Sequence, residues 1–433
     1  MNVAYDLALG GAALVASPLW AYRLLRTGKW RTDWPARFGR CPALAANGRR
    51  TILIHAVSVG EVNAVRQLVE ALRGQTDWHV VISTTTDTGT ARARALYEPR
   101  HRVVRYPIDF TWSVARFLDA VQPDLVALVE LEVWPNFCDL CRLRGVPVAV
   151  VNGRLSKSSF RGYRLARALV RPMFAGLAAA AVQTPDYGQR FEALGVAADR
   201  VHVLDSMKWD TARIADDVEG SEALAEAMGI DRSRPLIVAG STAPGEERLL
   251  AASCPEAAQL LLAPRRPEWF DAAARMEPGT IRRTACPDGT RRAPDGRRFF
   301  VLDTIGELGK AYALADVAVV GRSFLDMGGS DMIEPVALGK PTIVGPFHDN
   351  FQEVVAALRA SDAVVVTDAP GPALAELLGN SDRAAAAAER GRQVIRAHQG
   401  ATQRHVELLR RLMHKRGEGQ RCVAVGQLGR AET

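Results

Sequence analysis

Carboxylates and cations in this chain recur at the ends of apolar runs, where α/β proteins hold their reactive groups. Glu61 follows the run Thr51 to Val57 through a tight Ser58-Val59-Gly60 turn. It is placed there to take a proton from an attacking hydroxyl or, more plainly, to complement the dipole at a helix start. Glu130 and Glu132 follow the very apolar run Leu125 to Val129 and stand beside Trp134 and Pro135. Lys208 lies in a turn between Met207 and Trp209, either as a functional cation or as a solvated surface charge. Pro264-Arg265-Arg266-Pro267 closes the run Leu260 to Ala263. Guanidinium groups there suit a phosphate, which they bind in bidentate fashion. The last group is Gly328-Gly329-Ser330-Asp331, with Glu334 just beyond it. A glycine-rich loop before a helix lets the backbone approach a phosphate, and a carboxylate just inside the helix is placed for ribose hydroxyls.

These groups need scaffolding, and the apolar periodicity provides it. After the run at Thr51, apolar residues at Val62, Val65, Leu68, Val69 and Leu72 follow a helix period. The strand–turn–helix unit recurs from His79 to Leu96 and again around Leu125 and Pro147. A second series begins at Leu236 and continues through Leu260, Val317 and Thr342. Residues 211–231, polar and acidic, read as the boundary between the two series. Two such series predict an α/β protein of two parallel-sheet domains facing a cleft. Residues 276–298 read as an Arg/Pro/Gly-rich surface excursion, residues 384–413 as one long helical region, and the tail from Lys415 as poorly ordered.

With 433 residues the chain exceeds a single core. Its net charge of +7 is spread along the sequence. A nucleic-acid groove would show a denser Lys/Arg face with interleaved aromatics. A phosphorylated substrate or an anionic membrane surface fits the mild excess better. Arg161, Arg164, Arg167 and Arg171 share one helix face, either solvated or turned to anionic lipid. From Leu7 to Tyr22 the chain is uncharged, short of the roughly 20 residues a spanning helix needs. Arg23, Arg26, Lys29 and Arg31 follow, so residues 1–31 read as an N-terminal apolar membrane-anchor helix with its basic side cytoplasmic. Of six scattered cysteines only Cys138 and Cys141 are close, as a redox pair or as two small buried residues. No second pair completes a zinc site, and the scatter fits a reducing compartment.

Taken together, the blocks His55-Ala56-Val57-Ser58-Val59-Gly60-Glu61, STTTDTG, ELEVWPN, VNGRLS, MKWD, GSTAPGEE, PRRPEWF, DTIGEL and GGSDMIEPVALGKP resemble, in this order, the 3-deoxy-D-manno-octulosonic acid (Kdo) transferases. The resemblance covers about residues 1–410. It implies a GT-B glycosyltransferase of two Rossmann-like domains: an acceptor-binding domain over 32–215 and a CMP-sugar-binding domain over 232–400. A helix end and flexible tail over 401–433 follow. The implied reaction moves Kdo from CMP-Kdo to the lipid A precursor at the cytoplasmic face of the inner membrane, with no metal and no cofactor. Glu61 matches the family's general base, and Glu130 and Lys208 match groups that stabilise the transition state. Pro264, Arg265, Ile305, Gly306, Glu307, Asp331, Met332, Ile333 and Glu334 match the CMP-binding segments.

Three departures stand out. The family usually has Gly-Gly-His-Asn where this chain has Gly328-Gly329-Ser330-Asp331, which exchanges a donor amide for a carboxylate. Ala243 and Pro244 replace a His-Glu pair, and Ala36 replaces a Glu before Arg37. These changes keep three other readings open: a transferase using another CMP-activated acidic sugar or acceptor, a UDP-sugar epimerase of related fold, and a non-catalytic envelope scaffold.

Overall fold

The structure, a computed structural model, describes residues 3–27, 32–44, 48–211 and 213–428. The chain divides into two compact units, one of Met1–Lys208 with Gly400–Thr433 and one of Trp209–Gln399. The first unit holds β1 (Thr51–His55), β2 (His79–Thr84), β3 (Arg102–Arg105), β4 (Leu125–Val129), β5 (Val148–Gly153), β6 (Ala179–Val182) and β7 (Val201–Val203). They pair in parallel in the order β3-β2-β1-β4-β5-β6-β7. The second unit holds β8 (Leu236–Thr242), β9 (Gln259–Pro264), β10 (Ile281–Arg282), β11 (Phe299–Val301), β12 (Val317–Val320), β13 (Thr342–Val344) and β14 (Val364–Val366). Their order is β10-β11-β9-β8-β12-β13-β14, again all parallel. The order reverses between β1 and β4 in one unit and between β8 and β12 in the other. These are the switch points where doubly wound sheets bind ligands.

The strands read as unbroken apolar runs because both sheet faces are covered. In the first unit Leu53, Val81 and Val126 pack with Phe117, Phe137 and Phe174 on one face. Ile52, Ile54 and Val129 pack with Val62, Leu68 and Leu72 on the other. The alternation is the period of two that a strand imposes.

The structure departs from the sequence reading at several places. The division falls at Lys208 and Trp209, ahead of residues 211–231. Those residues contain a helix, Ser221–Met228, whose Leu224, Ala225 and Met228 join the core under the second sheet. The helical region 384–413 is two helices, Ser381–His398 and Ala401–Leu428, parted at Gly400 with φ +88°. The second returns to the first unit, where Val406, Leu409 and Met413 pack and His405 accepts a hydrogen bond from the Asn152 N–H at 3.0 Å. Its backbone is helical to Leu428, and residues 429–433 of the expected tail lie outside the described residues. The stretch 276–298 supplies the edge strand β10 and a buried Arg283.

The expected apolar anchor is also corrected. A helix forms over Val3–Thr27, but among the described residues no helix is long and apolar enough to cross a membrane. Paired glycines, Ser17 and Pro18 dilute its hydropathy. Asp6 holds it to the first unit by accepting from the Thr111 N–H and from Asn136 Nδ2, at 3.1 and 2.7 Å.

Candidate active site

At the first switch point two strand ends bring carboxylates together. β1 and β4 are neighbours in register, with His55 opposite Leu128. Glu61 leaves the turn after β1, and Glu130 follows β4 directly with φ +59°. A non-glycine residue held in the left-handed region is strained, a state that recurs at functional sites. Glu61, Glu130, Glu132, Arg154, Ser156, Ser159 and Tyr163 line one cavity of about 350 Å³. Glu130 and Glu132 were visible as a pair in sequence. Arg154, Ser156, Ser159 and Tyr163 were not singled out, although Arg154 stands at a strand exit just as Arg265 does.

Glu61 is fixed from both ends. Its Oε2 accepts from the Val57 N–H and its Oε1 from the Ser58 hydroxyl, each at 2.9 Å. Ser58 in turn caps the helix Val59–Ala64 through the Glu61 N–H. Glu61 thus stands in the first turn of the helix, and the Val57 and Ser58 bonds orient its carboxylate. Burial pushes the Glu61 carboxyl up to about 7, and the charges of Glu130 and Glu132 add to the rise, while the Val57 and Ser58 bonds oppose it. Glu132 is raised chiefly by burial and accepts from the Trp134 indole at 2.8 Å. Three carboxylates thus share one partly dry space, and one of them titrates near neutrality, where a general base works best. His55 is fully buried, stacked on Tyr106, and burial pushes it down to about 3. It is a neutral core residue across the physiological range.

Lys208 sits on the 3₁₀ turn Met207–Asp210, whose Met207 N–H donates to Asn152 Oδ1 at 3.1 Å. It is not among the residues lining the Glu61 cavity. Cys138 and Cys141 are both buried, and burial raises both thiols, which favours packing over thiolate chemistry.

In the second unit cations collect at the switch point. Pro264 ends β9, and the Arg265 N–H donates to the Thr242 carbonyl at 2.9 Å. The Arg265 side chain is exposed and has no hydrogen-bond or ion-pair partner among the described residues. Glu246 is buried and organises the β8 turn. It accepts from the N–H groups of Ala243, Arg322 and Phe324 at 2.9, 2.6 and 2.9 Å. Gly321 approaches the β8 tip so closely that a Cβ would lie 2.5 Å from Thr242 Cα.

The remaining predicted positions divide by role. Ile305 is exposed and Gly306 has φ +96°. The Glu307 carboxylate is held by Arg283 through two hydrogen bonds of 3.0 Å and by Thr304 at 2.6 Å, and these bonds keep it below its ordinary range against burial. Met332 and Ile333 are fully buried, so their side chains pack. Asp331 accepts from the Ile333 N–H at 2.9 Å, so the donor expected to be open at this helix start is already used. Glu334 is partly buried with no hydrogen-bond partner for its carboxylate among the described residues, and burial followed by Asp331 raises it. The Ser330 hydroxyl is buried without a partner.

Residues 32–211 match the family model described as 3-deoxy-D-manno-octulosonic-acid transferase (kdotransferase). The chain is 35% identical over 430 residues to the 3-deoxy-D-manno-octulosonic acid transferase of Bordetella pertussis, covering 94% of this chain and 98% of that protein. The chain belongs to the 3-deoxy-D-manno-octulosonic acid transferase family. The Haemophilus influenzae transferase of the same name is 30% identical, over 89% of this chain and 92% of its own length. Among solved structures, MurG of Acinetobacter baumannii aligns over 84% of this chain and 99% of its own, with a TM-score of 0.54 and 17% identity, a likeness of fold. Family membership makes the protein a glycosyltransferase, and the two parallel-sheet units are the GT-B architecture expected of it.

Proposed function

We propose that this transferase moves Kdo from CMP-Kdo to a hydroxyl of the lipid A precursor in lipopolysaccharide biosynthesis. The observation that carries the mechanism is Glu61, a carboxylate fixed by Val57 and Ser58 and raised to about 7 beside Glu130 and Glu132. Glu61 takes the acceptor hydroxyl's proton as the oxygen attacks the anomeric carbon of the sugar. The bond to the CMP phosphate breaks, and the electron pair leaves on the phosphate oxygen. Arg265, with its unengaged guanidinium, binds that developing charge, and Lys208 adds to it. Glu130 and Glu132 favour the positive character of the sugar ring. Glu334 takes ribose hydroxyls. No metal enters the scheme. The protein works at the membrane surface: Leu7, Leu14 and Val15 of the N-terminal helix are exposed, and so are Leu165 and Leu169 among the arginines of residues 157–175.

The test is to incubate the purified chain with CMP-Kdo and a tetra-acylated lipid A precursor, with and without EDTA. CMP release that depends on the lipid, a heavier lipid product and indifference to EDTA are expected. CMP binding without lipid-dependent release would overturn the assignment of donor and acceptor. Loss of turnover in EDTA, restored by a divalent cation, would overturn the metal-free scheme.

A further inference from the structure

Arg322 occupies the position in the second unit that Glu130 occupies in the first: just past the strand that flanks the switch point. Like Glu130 it is a non-glycine residue in the left-handed region, with φ +57°. The strain is held from two sides. Its N–H donates to Glu246 at 2.6 Å, and its carbonyl accepts from Gly329 at 2.8 Å, which ties the β8 turn to the glycine-rich loop. Its Nη2 donates to the Met327 carbonyl at 2.9 Å, and the other donors of its fork have no partner among the described residues. Burial lowers its proton affinity, and the charges of Arg265 and Arg266 lower it further. The charge of Glu246 opposes this, but both Glu246 oxygens already accept backbone N–H groups. Arg265 and Gly321, the residue before Arg322, both meet Thr242 at the tip of β8, so two guanidinium groups rise from one strand tip, while Arg266 is paired with Glu268. Such a pair suits an anion.

We propose that Arg322 is a specificity-determining cation of the donor site, binding anionic oxygen of the CMP-activated sugar together with Arg265. This rests on the donor-site reading above. The anionic oxygen comes from the phosphodiester or from the sugar's own carboxylate.

The experiment is calorimetric titration of cytidine and CMP into the full chain and into its Arg322→Gly and Arg322→Lys variants, with the donor KM measured alongside. Glycine accepts φ +57° more readily than arginine, so Arg322→Gly is expected to melt no lower than the parent. Its CMP affinity should fall about tenfold while cytidine affinity stays unchanged, as for one lost charge-assisted contact. Arg322→Lys, which keeps the charge and the backbone geometry, should retain part of the difference. If the donor KM rises by the same factor as the CMP dissociation constant, the contact is to phosphate; a larger rise in KM assigns it to the carboxylate. Unchanged CMP affinity together with an unchanged donor KM in Arg322→Gly would overturn the proposal. So would an equal loss for cytidine and CMP, because Arg322 would then only shape the loop. A parent chain that binds no CMP would instead overturn the donor-site reading itself.

Discussion

The two units solve one architectural problem with opposite charge. In the first, β4 leads directly to Glu130 and the helix that follows β1 carries Glu61 in its first turn, with Glu132 lining the same cavity. In the second, the equivalent strand ends carry Arg322 and, one strand over, Arg265 and Arg266. Both places hold a charged non-glycine residue at a left-handed φ, +59° for Glu130 and +57° for Arg322. The difference lies in what each crevice must bind. Burial, with the added charges of Glu130 and Glu132, keeps Glu61 as a base near neutrality, which suits deprotonation of a hydroxyl. Crowded guanidinium groups repel one another until an anion arrives, which suits a leaving phosphate. A shared backbone plan therefore does not fix the chemistry; a few side chains at the strand tips do.

The sharpest way to break this comparison is Glu61→Gln. It should lower kcat by about 10²- to 10⁴-fold while leaving CMP affinity and the melting temperature near the parent's, since the acidic crevice alone is disturbed. Wild-type turnover would remove Glu61 as the base. Next in size is Arg265→Ala, which should weaken CMP binding by about 10- to 100-fold and leave the pH profile of kcat unmoved. A shifted profile would mean that the two crevices are not chemically separate.

The pH dependence tests the acidic crevice directly. Glu61 acts deprotonated and titrates at about 7, so kcat/KM should be full above that value and fall tenfold per unit as pH drops below it. Glu130→Gln removes one raising charge, so the acid limb should move to lower pH. A limb that stays in place would show that the Glu130 charge does not help set the Glu61 value. The smallest effect is expected from Glu334→Gln. It should weaken CMP binding a few-fold and leave 2′,3′-dideoxy-CMP unaffected, because only the ribose contact is lost. Equal loss for both nucleotides would remove Glu334 as the ribose ligand.

Much of this was legible along the chain, for a physical reason. Strands buried on both faces appear as unbroken apolar runs, and the first polar residue after each run marks a strand tip. That signal located Glu61, Glu130, Arg265 and both series of units. It also gave a helix after Glu61, because Val62, Val65, Leu68, Val69 and Leu72 follow the helix period. Local signals failed where the outcome depended on distant partners. The Val3–Thr27 helix looked like an anchor because a hydropathy run does not reveal that Asp6 is used by Thr111 and Asn136. Residues 211–231 looked like a boundary because acidic residues surround the short apolar stretch of Ser221–Met228, and only the sheet they pack against makes Leu224, Ala225 and Met228 core.

What the sequence determined by itself was the set of elements and the residues at their tips, since both follow from periodicity within a short window. What only the tertiary structure decided was which tips meet. The parallel order sets β4 beside β1 and β12 beside β8 across long stretches of chain. That pairing places Glu130 and Glu132 against Glu61, raises its carboxyl, and assembles Arg322 with Arg265. Proton affinity and anion binding depend on distances between charges, and those distances exist only once the sheets have formed.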